Sequence, residues 1–182
     1  MGAHIIGLAG FAQSGKDTVA KILITEHGFV KVAFAEVIRD SLYELNPIVD
    51  FNIEKTVRVR DLVDSKGWDE AKKTEEVRRL LQAFGTEIGR SLLGENIWVE
   101  LATKNLESDK NYVFTDVRFP NEADKIKDLG GLIWRVERPS INAINNHSSE
   151  IALNGYHYDA IITNDSDMVA LKNRVEELRA WG

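Results

Sequence analysis

Gly10-Phe11-Ala12-Gln13-Ser14-Gly15-Lys16-Asp17-Thr18 sets two glycines five residues apart and follows the second with a lysine. A G-x-x-x-x-G-K run lets successive backbone N–H groups ring a phosphate, and the lysine is a flexible point charge able to reach the outer phosphates of a polyphosphate. The run lies where that chemistry needs it, behind a short apolar segment, His4 to Ala9, and ahead of a helical pattern whose N-terminus is itself a positive end. Gly10, Gln13, Ser14, Gly15, Lys16, Asp17 and Thr18 are therefore candidate binders of phosphate groups, and Lys16 is the first catalytic candidate. Asp17 departs from the general motif, which has a magnesium-ligating Ser or Thr hydroxyl at that place. Its carboxylate is either a hard-oxygen partner for Mg²⁺, directly or through water, or an acidic first-turn residue that favours the helix dipole.

A second cluster, Thr115-Asp116-Val117-Arg118-Phe119-Pro120-Asn121-Glu122, follows a strand pattern at Tyr112 to Thr115. In open α/β sheets ligands bind beyond the carboxyl ends of the strands, so Asp116 and Arg118 are expected at the same crevice as the glycine loop. Asp116 can hold a water on Mg²⁺ or orient an arginine, and Arg118 can grip a phosphate with its forked guanidinium. The plainer reading is a strand-to-helix turn with Asn121 as N-cap and an Asp116–Arg118 pair. A third cluster, Arg78-Arg79-Leu80-Leu81-Gln82-Ala83-Phe84-Gly85, puts Arg78 and Gln82 one helical turn apart, where both can address one ligand, while Trp98 offers a face on which a base can stack. Adjacent arginines on an amphipathic helix are otherwise a solvated face, and a tryptophan is otherwise core. Two lesser features are Arg135 and Arg138 around a later strand, the second a phosphate contact at a strand end, and His147 with Glu150 in a polar loop, read as a loop-fixing hydrogen bond and not a metal site.

The elements that must position these residues follow from hydrophobic periodicity. His4 to Ala9 is the pattern of a strand buried on both faces. Thr18 to His27 keeps Val19, Ile22 and Leu23 on one stripe and ends at Gly28; Phe29 to Phe34 reads as a strand; a helix from about Glu36 to Leu45 is stopped by Asn46-Pro47. Residues 48–108 carry helical patterns with charged faces and no clear strand, and are expected to form a helical insertion. Its best helix is expected from Glu75 to about Leu92, with Val77, Leu80, Leu81, Phe84 and Ile88 on one face, and another from Ile97 to Leu106. Strands are expected at Tyr112 to Thr115, Leu132 to Glu137 and Tyr158 to Thr163, with helices over Asn121 to Leu129 and at the C-terminal end, where Met168, Leu171, Val175 and Leu178 share a face. Five short strands alternating with helices predict a three-layer α/β/α fold around a mainly parallel sheet, in a single domain spanning residues 1–182 with a lid loop at about 139–157.

Composition narrows the classes further. At 182 residues, 43% hydrophobic and 29% charged, the chain is long enough for one ordinary core. Its formal charge of −6 does not suit an extended grip on a nucleic-acid polymer. The absence of cysteine removes disulfides, thiolate nucleophiles and the usual structural zinc sites. The longest nearly apolar run, Ile5 to Ala12, falls far short of a membrane span, and its flank lacks a basic segment, so the protein is expected in the cytoplasm.

Taken together the residues resemble the deoxynucleoside monophosphate kinases of bacteriophages, within the P-loop kinases. The resemblance covers nearly the whole chain. It rests on Gly15-Lys16-Asp17-Thr18, on Arg78 to Thr86, on Trp98, on Asp116-Val117-Arg118 with Asn121-Glu122, on Arg138-Pro139, on His147 with Glu150, and on Ile162-Thr163-Asn164-Asp165. By their own chemistry Asp17 and Asp116 are read toward Mg²⁺ and Arg138 toward the donor nucleotide; the resemblance adds ATP as the donor and makes Asp17 look like a family feature. It implies an acceptor site of Arg78, Arg79, Gln82, Gly85, Trp98, Asp116, Arg118 and Glu122, a deoxynucleoside monophosphate as substrate, and leaves a homodimer open. A monophosphate ionised near pH 7 needs no strong base, so positioning and charge neutralisation by Lys16, Mg²⁺, Arg78 and Arg118 would carry the rate. The alternatives are a P-loop kinase for another phosphorylated acceptor, such as dephospho-coenzyme A or phosphomevalonate, and a nucleotide switch. Against the switch, Thr103-Lys104-Asn105-Leu106 lacks the Asp of a guanine-reading motif.

Overall fold

Ile5–Ala9 is apolar and buried at every position, as a strand covered on both faces must be. It is β1 of a computed structural model that describes residues 3–52, 55–139 and 152–180. There follow α1 (Lys16–His27), β2 (Val30–Val32), α2 (Phe34–Leu45), β3 (Ile48–Asn52), β4 (Lys55–Arg58), α3 (Val59–Ala71) and α4 (Glu75–Ala83). A π-helical segment (Phe84–Leu93) leads to α5 (Ile97–Thr103), β5 (Tyr112–Phe114), α6 (Pro120–Asp128), β6 (Leu132–Glu137), β7 (Ala160–Thr163) and α7 (Met168–Arg179). The backbone divides into two compact units, Met1–Ala33 with Thr103–Gly182, and Phe34–Ala102.

The first unit is built on a five-stranded sheet in the order β2-β5-β1-β6-β7, every pair parallel. Alternation along the strands makes two faces. Ile6, Leu8, Val113, Trp134, Val136 and Ile162 pack with Val19, Ile22 and Leu23 of α1 and Leu171 and Val175 of α7. On the opposite face Gly7 lies against Ile126 of α6 and Ile133. Helices thus cover both sides, giving the three-layer α/β/α fold. Each fully buried Leu or Ile contributes about 1.5–3 kcal/mol, so the sheet is a firm base for the loops at its edge. The chain leaves β1 toward β2 but leaves β5 toward β6, and that divergence opens a crevice at their carboxyl ends.

The second unit has its own core of Leu42, Val49, Val59, Leu62, Ala71 and Val77. Its start at Phe34 brings α2 into the unit, where the sequence suggested a boundary near residue 48, and it ends at Ala102. The expectation of no strand in this region is corrected: β3 and β4 form an antiparallel hairpin, with Ile48 opposite Arg58 and Val49 opposite Val57. The long helix expected from Glu75 is also corrected, because after Ala83 it widens into the π segment. Each π turn takes an extra residue, so the apolar stripe drifts: Gly85 and Gly89 turn inward and Ile88 becomes 39% exposed. Two smaller differences concern α6, which begins at Pro120 with Phe119 as N-cap instead of Asn121, and Met168, which is exposed in the first turn of α7.

Candidate active site

The glycine loop joins β1 to α1 at the crevice edge. Ser14 N–H donates to the Phe11 carbonyl at 3.2 Å, and the N–H groups of Thr18 and Val19 both donate to the Gly15 carbonyl at 3.0 Å. Gln13 is exposed with φ 64°, in the left-handed region, which bends the chain around a concavity. Lys16 Nζ donates to the carbonyls of Gly10 (2.8 Å) and Phe11 (2.7 Å), so its ammonium lies inside the loop. A charge-assisted bond to phosphate is stronger than either of these contacts and would draw the ammonium onto the anion. Asp17 is exposed in the first turn of α1, and Thr18 is half-buried beside it.

The loop is held from outside by Asn164, the residue after β7. Its N–H donates to the Glu137 carbonyl at 2.7 Å and its Nδ2 to the Ser14 carbonyl at 2.9 Å. Gly15 has φ +109°, and a Cβ there would stand 2.4 Å from Asn164 Nδ2, so neither the backbone nor the space admits a side chain. The Ser14 hydroxyl is buried and has no hydrogen-bond partner among the described residues.

At the neighbouring strand end Val117 N–H donates to the Leu8 carbonyl at 3.2 Å, tying the Asp116–Arg118 turn to β1 just before the glycine loop. Asp116 is half-buried and Arg118 exposed. Glu122, expected to line an acceptor site, is only 3% exposed, and its carboxylate accepts the N–H groups of Arg118 (2.8 Å) and Phe119 (3.1 Å). It positions the turn that carries Arg118. Phe11, Lys16, Arg118, Arg135, Leu153 and Tyr158 line a cleft of about 40 Å³, room for roughly three waters. Arg138 is exposed and lines a neighbouring hollow of about 230 Å³ with Pro139, Asn164, Asp165 and Ser166.

In the second unit Arg78 reaches the carbonyls of Lys72 and Lys73 at 3.5 Å each, contacts too long to hold it firmly. Arg79 makes a two-pronged pair with Glu76, 2.9 Å from one carboxylate oxygen and 2.6 Å from the other, which lowers the Glu76 pKa below the usual carboxylate range. So exposed a pair is worth little and is easily exchanged for a phosphate. Gln82 is exposed nearby. Trp98 departs from the stacking role expected of it: it is 2% exposed, its Nε1 donates to the Gly85 carbonyl at 2.8 Å, and Phe84 lies 5.8 Å from its ring. A Cβ on Gly89 would fall 2.2 Å from the indole. Trp98 therefore fixes the widened turn from within.

Within the first unit the sequence-marked Gly10, Lys16, Asp17, Asp116 and Arg118 gather at one sheet edge. Asn164, Phe11 and Tyr158 were missed as site residues, although a polar residue directly after a strand's carboxyl end is a usable signal for Asn164. His147, Glu150 and most of the expected lid loop lie outside the described residues. Among the described residues no helix is long and apolar enough to cross a membrane.

The family model described as deoxynucleotide monophosphate kinase matches residues 48–175. A putative deoxynucleotide monophosphate kinase of Acanthamoeba polyphaga mimivirus is 32% identical over 177 residues, covering 88% of each chain. The deoxynucleotide monophosphate kinase of Escherichia phage RB69 is 31% identical over 58% of this chain and 45% of its own length. Among solved structures, dephospho-CoA kinase from Campylobacter jejuni aligns over 97% of this chain and 95% of its own at a TM-score of 0.47 and 14% identity, a likeness too distant to carry weight.

Proposed function

The chain belongs to the deoxynucleotide monophosphate kinase family, and on that premise we propose that it moves the γ-phosphoryl group of ATP to a deoxynucleoside monophosphate, giving ADP and the diphosphate. The observation that carries the reading is the glycine loop with Lys16 beside Arg118 in one cleft at the sheet's carboxyl edge. An oxygen of the ionised acceptor phosphate attacks the γ-phosphorus as the bond to the β–γ bridging oxygen breaks. No base is needed for an acceptor already ionised, so the protein's contribution is alignment and charge neutralisation.

Each residue has a role in that step. The loop N–H groups and the first turn of α1 cradle the donor's β-phosphate, and Lys16 leaves the Gly10 and Phe11 carbonyls for the β- and γ-oxygens. Gln13, Ser14, Gly15 and Thr18 shape that cradle, and Arg138 contacts the donor. Arg118, aimed by Glu122, meets phosphate at the reacting centre. Arg78, Arg79 and Gln82 hold the acceptor, while the buried Gly85, expected beside them, and Trp98 shape the turn from within. Asp17 and Asp116 are two hard-oxygen donors, a set that suits a magnesium ion completed by water and phosphate oxygens, and these two would hold it. Bound there, Mg²⁺ would offset the charge on the donor's β- and γ-oxygens. The proposed setting is the cytoplasm, where both nucleotides are available.

The test is a coupled ADP-release assay with ATP and each of the eight ordinary nucleoside and deoxynucleoside monophosphates, beside dephospho-coenzyme A. Turnover with at least one deoxynucleotide above all other acceptors is expected. Preference for dephospho-coenzyme A, or ATP hydrolysis indifferent to acceptor, would overturn the reading. Arg78→Ala and Arg118→Ala should each lower kcat/KM for the acceptor by far more than the factor of about two that a surface arginine costs.

A further inference from the structure

Arg135 is a charged residue in the middle of a central strand, paired in register with Ala9 of β1 and Ile161 of β7. Its neighbours Trp134 and Val136 point into the α1/α7 core, so alternation turns Arg135 to the other face, where it lines the cleft with Lys16 and Arg118. The guanidinium carbon lies over two rings, 5.5 Å from the Phe11 centroid and 5.2 Å from that of Tyr158. Tyr158 in turn donates to the Leu153 carbonyl at 2.8 Å. The guanidinium thus meets an aromatic ring from the glycine loop and another from the chain that returns to β7.

Among the described residues its hydrogen-bonding capacity is largely unused. Nη1 reaches the Tyr158 hydroxyl at 3.1 Å. Nε is 2.6 Å from Glu137 Oε1, near enough for an ion pair, yet buried and out of line for a hydrogen bond. Nη2 has no partner among the described residues. Three cations, Lys16, Arg118 and Arg135, line this cleft. The Glu122 carboxylate is committed to backbone N–H groups, and Glu137 is 45% exposed, which weakens its hold on the guanidinium. A rigid, half-used guanidinium on a strand is a poor structural choice and a good anion site.

We propose that Arg135 is a further catalytic residue of the transfer site, donating from Nη2 to a phosphate oxygen at the reacting centre while Phe11 and Tyr158 hold its plane. The inference rests on the kinase reading above. In the transfer the new bond forms between the acceptor oxygen and the γ-phosphorus as the β–γ bridging bond breaks. Arg135 exchanges no proton; it offsets charge on the oxygens of the phosphoryl group in transit.

The test uses the full chain with Arg135→Ala and Arg135→Lys, each checked by thermal unfolding, with calorimetric binding of ATP measured beside steady-state kinetics. Arg135→Ala should lower kcat by about 10² or more while the ATP dissociation constant moves by less than about threefold. Arg135→Lys keeps the charge but not the fork or the stack, and should recover only part of the rate. Added guanidinium ion, well below denaturing concentration, should restore turnover in Arg135→Ala and leave the wild type unmoved. If Arg135→Ala fails to fold, Arg135→Lys carries the kinetic comparison. Wild-type kcat in a folded variant overturns the proposal, as does a loss confined to ATP affinity or one that follows unfolding alone. A wild-type chain that binds ATP and phosphorylates no monophosphate is a different failure, that of the kinase reading.

Discussion

Replacing Asn164 by Asp exchanges a donor for an acceptor without changing shape. In the wild type Nδ2 lies 2.9 Å from the Ser14 carbonyl, across 150 residues of chain. The carboxylate sets oxygen against oxygen there, so the carbonyl loses its partner and meets a like partial charge. The lost bond is worth about 0.5–1.5 kcal/mol net, and a polar group left unsatisfied brings the cost to about 1–3 kcal/mol. For a chain of this size each kcal/mol moves the midpoint about 2–4 °C, so Asn164→Asp should lower Tm by roughly 2–12 °C. Asn164→Ala removes the bond without the repulsion and should lie at the small end. The functional consequence is larger for Asp, because its negative charge stands against the loop that must cradle a polyphosphate; ATP affinity should fall about tenfold, or ~1.4 kcal/mol, against little change for Ala. Thermal unfolding and calorimetric titration with ATP on the three proteins decide the matter. If Ala and Asp variants bind ATP alike and both melt within about 1 °C of the wild type, Asn164 does not brace the loop.

Lys16→Ala should lower kcat by about 10² or more while the chain stays folded, since the loop backbone that the ammonium bonds at the Gly10 and Phe11 carbonyls is unchanged; single-turnover kinetics with a melting curve check both halves. Asp17→Ala should raise the Mg²⁺ concentration for half-maximal rate, and a titration that overlays the wild type would return Asp17 to a helix-start role. Tyr156 donates to Asp124 at 2.8 Å, and burial first, then that carboxylate, pushes its phenol pKa well above the usual value. The neutral phenol is the form the fold favours, so this bond contributes fully below about pH 10 and is lost as pH rises through the raised value. Tyr156→Phe should therefore melt lower by the equivalent of about 1 kcal/mol near neutrality, with the difference from wild type shrinking only in strong alkali.

The parts of the molecule legible in the sequence are those written in local pattern. The strand, glycine loop and helix of residues 5–27 follow from a buried apolar run, a glycine spacing and a 3.6-residue stripe. The β6 strand is bounded where its pattern predicts. Patterns fail where tertiary packing overrides them. Val49 is buried while Ile48 beside it is 60% exposed, an alternation too short to announce the hairpin. The π segment exists because the Trp98 indole occupies the space at Gly89 and bonds Gly85, contacts with no signature in the helix's own periodicity. The same holds for the site. Lys16 and Arg118 are visible as residue types in motif positions, whereas the Asn164–Ser14 bond and the Phe11–Arg135–Tyr158 stack join distant segments that only the folded sheet brings together.

The most direct test of the account follows the phosphoryl group itself. Purified chain, γ-labelled ATP, Mg²⁺ and a deoxynucleoside monophosphate are mixed, and the products are separated and counted, with Lys16→Ala run in parallel. The account expects label in the deoxynucleoside diphosphate in step with ADP formed, at a rate lower by about 10² or more with Lys16→Ala. Label found only in inorganic phosphate, or diphosphate formed equally well by Lys16→Ala, would contradict it.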